Sequence, residues 1–219
     1  MTNMPKRVRA LRFLRIIFLV SFIVSILSLI NMLVALGISG TEFPEAAGVT
    51  IAVLDTIFNS IAALVAIFLV ITLIVTMSVN KECYVAFCLG MAAALMAIVS
   101  CILEYTLETR LPTYLLSMLT GFCVAGALFT LVDGVYEHQQ RKSPLNTFFC
   151  IAIGLLVVSA VLAFVTFVAK MPTGASIALY LASEVGYILA YGIIWGCLQK
   201  SFKEIKQFER SEECLNEAK

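Results

Sequence analysis

Charge is scarce in this chain. Only 13% of its 219 residues are Asp, Glu, Lys or Arg, against 61% apolar, whereas a soluble domain carries about a quarter charged and about half apolar. With a mean hydropathy of +1.01, too little polar surface exists to cover a water-facing globule, and a soluble fold is excluded. Histidine is scarcer still. His138 is the only one, which argues against a bis-histidine haem bundle, a histidine-ligated metal transporter and a serine protease that needs an imidazole base. The seven cysteines (Cys83, Cys88, Cys101, Cys123, Cys150, Cys197 and Cys214) contain no CxxC and no Cys/His cluster. Neither a zinc centre, a dithiol redox pair nor a disulfide framework is therefore expected, and they read as small apolar filler. No Walker sequence, no HExxH, no ladder of gating arginines and no polar filter sequence is present. Catalysis is the least expected of the broad classes, and no metal or other cofactor is expected.

What the chain has in quantity is long apolar runs. A helix needs about 20 such residues to cross the hydrocarbon core, and six runs qualify: Phe13–Gly37, Thr50–Met77, Cys83–Leu103, Thr113–Val132, Thr147–Ala169 and Ala175–Leu198. Each must be helical, because only a helix satisfies its own backbone hydrogen bonds in lipid. The expectation is an all-α integral membrane protein, a bundle of six transmembrane helices in one domain over residues 1–198, with a tail over 199–219. The first run exceeds the 7–15 apolar residues of a cleavable signal and reads as a retained anchor.

Charge position then predicts orientation. Thirteen of the fifteen cations fall on one side: Lys6, Arg7, Arg9, Arg12 and Arg15 at the amino terminus, Lys81, Arg141 and Lys142 in two loops, and Lys200, Lys203, Lys206, Arg210 and Lys219 in the tail. Only Arg110 and Lys170 fall on the other side, beside Glu42, Glu45, Glu104 and Glu108. The positive-inside rule places both termini in the cytoplasm, in a plasma (inner) membrane. Leu198, Phe202, Ile205 and Phe208 recur at helical spacing among the tail lysines. Two readings fit: an amphipathic helix lying on an anionic inner leaflet, or a plain helical extension of span six. Beyond Arg210 the sequence turns polar and acidic, and disorder is expected there. Asp133, Glu137 and His138 read as solvated loop residues.

Span six carries the clearest pattern. Gly174, Ala178, Ala182, Gly186 and Ala190 recur every fourth residue, a small-residue ridge of the kind that lets membrane helices approach closely. Tyr180, Glu184, Tyr187, Tyr191 and Trp195 share the other face, all within about 60° of Glu184 at 100° per residue. Glu184 lies roughly 14 Å into its span, where an ionised carboxylate is expensive unless protonated, paired or facing water. In span two, Asp55 and Asn59 make a second polar patch on the same side, with Ala62 and Ala66 continuing its face. If spans two and six adjoin, the two acids, Asn59 and Tyr180, Tyr187 and Tyr191 would line one outward-facing cavity. Structural alternatives stand beside these: Glu184 as interhelical glue, and Asp55 as an interfacial carboxylate snorkelling to water. Small and hydroxyl residues on spans one, three and four (Ser21, Ser25 and Ser28; Ala86, Gly90 and Ala93; Ser117, Gly121 and Ala125) read as bundle packing.

Six helices, both ends inside and no soluble domain make an architecture similar to that of substrate-binding subunits of vitamin importers and of small permease subunits that borrow an ATPase. That resemblance implies a solute-binding or transport-associated subunit, with the bilayer and another membrane protein or a cytoplasmic ATPase as partners and no nucleic acid. The competing expectation is an assembly, immunity or regulatory protein acting through helix–helix interfaces.

Overall fold

The structure, a computed structural model, describes residues 4–38, 49–51, 53–54, 57–58, 61, 64, 67–68, 71–72, 84–106, 111–138, 142–143, 145–169 and 172–217. Within them run α1 (Met4–Ile38), α2 (Tyr84–Thr106), α3 (Leu111–His138), α4 (Asn146–Val168) and α5 (Thr173–Glu217). Every described residue between 49 and 72 is helical as well, and no strand occurs among the described residues. Leu11–Gly37, Asn146–Thr166 and Thr173–Phe208 are long and apolar enough to cross a bilayer, and the shorter apolar stretches Tyr84–Ser100 and Met118–Gly134 accompany them. These features mark an all-helical integral membrane protein.

Several hydroxyl side chains inside the helices turn back on their own backbone. Ser21 donates to the Ile17 carbonyl at 3.1 Å, Thr120 to Leu116 at 2.8 Å, Thr130 to Gly126 at 3.1 Å and Thr166 to Leu162 at 2.8 Å. Such a bond satisfies the hydroxyl without any partner helix. Asn31 differs: it is buried, and its amide reaches the Ile51 carbonyl at 3.4 Å, tying α1 to the second apolar segment.

Among the described residues α2 packs on α3, α3 on α4, α4 on α5 and α5 on α1. Large buried side chains gather where the start of α1, the end of α3, the start of α4 and the second half of α5 meet. Leu14, Leu131, Tyr136, Phe149, Leu198 and Ile205 are all within 2% of full burial there. Arg12, Arg15, Lys200 and Lys203 flank this cluster, so it is called the basic end below. With 45 residues α5 is about 68 Å long, over twice the roughly 30 Å hydrocarbon core. Its far part therefore stands in headgroups and water. There the hydrophobic effect drives burial, about 1.5–3 kcal/mol per large side chain, which lipid does not supply.

In the tail, Phe202 and Ile205 are buried in the basic-end core with Leu198, so that part of the apolar stripe faces the protein, and α5 runs unbroken through Leu198. The helix also continues past Arg210 to Glu217, where disorder was the expectation from composition. Glu137 and His138 likewise end α3 rather than sitting in a loop, and Asp133 accepts a 3.4 Å bond from the Asn146 amide near the start of α4.

Candidate functional site

Glu184 sits on α5 eleven residues past Thr173, about 16 Å along the helix. It is half-buried and bonded to the Tyr180 hydroxyl one turn back. Tyr187 and Tyr191 lie within electrostatic reach of its carboxyl. The Tyr187 and Tyr191 rings are nearly parallel with centroids 6.4 Å apart. No lysine or arginine pairs with Glu184 among the described residues. Its described partner is therefore a phenol rather than a cation.

The stripe is not uniform along its length. Its lower part is an interhelical seam: Tyr191 tilts against Phe18 at 6.3 Å, and Trp195 stacks on Phe22 at 6.5 Å. Gly192 makes room there, because a Cβ would come within 3.1 Å of the Phe22 ring. Ring pairs of this kind contribute about 0.5–1.5 kcal/mol beyond area burial. Tyr180, at the upper end, is 37% exposed. Tyr191 and Trp195 thus hold the helix in place, while Tyr180 and Glu184 stand where that seam opens.

The small-residue ridge also divides. Gly174, Ala178 and Ala182 are exposed, whereas Gly186 and Ala190 are buried. A Cβ on Gly186 would collide with the Ser159 hydroxyl of α4, so that glycine permits the α4–α5 approach. Ser183, fully buried, donates to the Ser159 carbonyl at 2.8 Å and locks the crossing. On α2, Ala86, Gly90 and Ala93 are buried, as a packing face would be. Asp55 and Asn59 lie outside the described residues.

Several contacts have no counterpart in the sequence reading. The Tyr136 hydroxyl donates to the Glu204 carboxylate at 2.7 Å, joining α3 to α5 across the basic end. Arg12 and Arg15 hold their guanidinium carbons 5.8 and 4.7 Å from the centroid of the buried Phe202 ring. Ser159 and Ser183 belong to no pattern singled out in the sequence. Tyr136 and Glu204 stand 68 residues apart, and nothing local pairs them.

Fold and site together define a class, an integral membrane protein of packed helices with an acid–phenol pair within one span. No family model matches the chain, and neither a curated protein nor a solved structure matches it.

Proposed function

We propose that this is a multi-pass, solute-binding or transport-associated protein of the plasma membrane, with six spans, both termini cytoplasmic and no catalytic role. Its site is the Glu184 carboxyl with Tyr180 and Tyr187, in the outer half of the bilayer, with Asp55 and Asn59 as candidate members from span two. The observation that carries this is the half-buried Glu184, held by Tyr180 and paired with no described cation. It would take a cationic or hydrogen-bonding ligand, or carry a proton. Support for six spans is the helical state of every described residue from 49 to 72, which adds a segment to the five helices. The charge asymmetry supports the orientation.

The test is thermal stabilisation of the detergent-purified protein by a panel of organic cations and hydrogen-bonding solutes. A ligand should raise the melting temperature of the wild type and lose that effect in Glu184→Gln. If a stabilising ligand acts equally on Glu184→Gln, and Glu184→Leu changes stability alone, the carboxyl is structural glue.

A second reading, assembly through a helix interface, is favoured by the exposed Gly174, Ala178 and Ala182. Under it Ala178→Leu with Ala182→Leu abolishes association with a partner membrane protein or ATPase-bearing complex and leaves the monomer folded.

A further inference from the structure

Arg12 and Arg15 lie in the first turns of the Leu11–Gly37 apolar stretch, at the level of a membrane boundary. Both guanidinium groups are placed on one ring, Phe202, which is only 7% exposed. A cation over an aromatic face is held by the ring quadrupole, and here two like charges are held on the same ring. Neither is paired with a carboxylate among the described residues; Glu204, two residues from Phe202, accepts from Tyr136 instead. Two fixed guanidinium groups with no counter-charge among the described residues, at headgroup depth, ask for an anion, and the fork of Arg suits phosphate oxygens.

Directly along α1 from Arg12 lies a groove. Arg12, Ile16 and Val20 follow one another at i, i+4 and i+8 and share a column of the helix. Ile16, Ile17 and Val20, with Ile61, Leu64 and Phe68 of the second apolar segment, line a wholly apolar crevice of about 350 Å³. Ile16 is about 6 Å and Val20 about 12 Å along the axis from Arg12, the depth of the first methylenes of a lipid whose phosphate sits at Arg12.

We infer that this corner is a binding site for an anionic phospholipid. Arg12 and Arg15 take the headgroup phosphate, and one acyl chain lies in the crevice between α1 and the second apolar segment. The binding is independent of the Glu184 site, so Glu184→Gln leaves it unchanged.

The test is native mass spectrometry of the full-length protein in mild detergent, given equal amounts of phosphatidylglycerol and phosphatidylcholine. The wild type should retain phosphatidylglycerol about tenfold over phosphatidylcholine. Arg12→Gln with Arg15→Gln should bring the two lipids to parity. Lys203→Gln with Lys206→Gln, which removes the same charge from exposed positions, should keep the preference. Val20→Trp, which fills the crevice, should cut retention of both lipids several-fold while the selectivity persists. If the double arginine variant does not give monodisperse protein, Arg12→Gln alone, at an exposed position, should weaken the preference. No preference in the wild type, or parity in the lysine variant as well, overturns the headgroup site. Unchanged retention in Val20→Trp overturns the chain site.

Discussion

The two halves of α5 behave as different helices. From Gly186 onward its inward residues are buried: Ala190 at 0%, Ile194 at 1%, Leu198 and Ile205 at 0%. Before Gly186, Gly174, Ala178 and Ala182 are exposed, as is Tyr180, and Ser183 is the buried exception. Membrane-embedded helices associate by close packing and hydrogen bonds, since lipid tails are as apolar as leucine. Where a helix leaves the hydrocarbon, water adds a hydrophobic driving force. The basic end builds a core of large side chains. The opposite half has small residues, one serine lock and an acid–phenol pair. The half that is less committed to packing is the half that carries the candidate site.

Substitutions in the two halves sharpen this contrast. The largest effect is expected at the basic end: Ile205→Asp places an unpaired charge in the core and should cost about 3–5 kcal/mol, read as loss of the cooperative melt in detergent. Gly186→Leu, which must displace Ser159, should cost about 1–3 kcal/mol, seen as a lowered melting temperature. Ala182→Leu, one turn away but exposed, should change it by less than about 0.5 kcal/mol. Equal penalties at 182 and 186 would erase the division of the ridge. Tyr136→Phe removes one hydrogen bond to a charged partner and should cost about 1.5–3 kcal/mol by the same melt. Adding Glu204→Gln to that variant should cost much less than it does in the wild type, because the two share one interaction. Ser183→Ala should cost about 1 kcal/mol or less, since a membrane hydrogen bond of this kind contributes about 0.6 kcal/mol on average.

Much of the fold was legible because lipid leaves the backbone one option. Apolar runs near 20 residues located α2 and α4 within three residues of their observed ends. Where helices run past the hydrocarbon the same signal fails. Hydropathy ends span six at Leu198, yet α5 continues to Glu217, with Phe202 and Ile205 buried in a core beyond that point. The periodicity of that stripe was visible; its partner was not, since leaflet and protein surface ask for the same pattern. The site was legible in part for a similar reason. One-helix geometry correctly set Tyr180, Glu184, Tyr187 and Tyr191 on one face, but which of them meet another helix depends on α1, and Phe18 and Phe22 carried no special signal. Tyr136 with Glu204, and Arg12 and Arg15 on Phe202, are tertiary pairings between distant segments that no local spacing encodes.

The claim that matters most is that Glu184 is a working carboxyl. Native mass spectra of the intact protein, released from mild detergent as wild type and as Glu184→Gln, test it most directly. A bound small molecule or partner subunit should accompany the wild type and be absent from the variant, with both chains equally folded. Identical adduct masses and identical partners in the two spectra would contradict it.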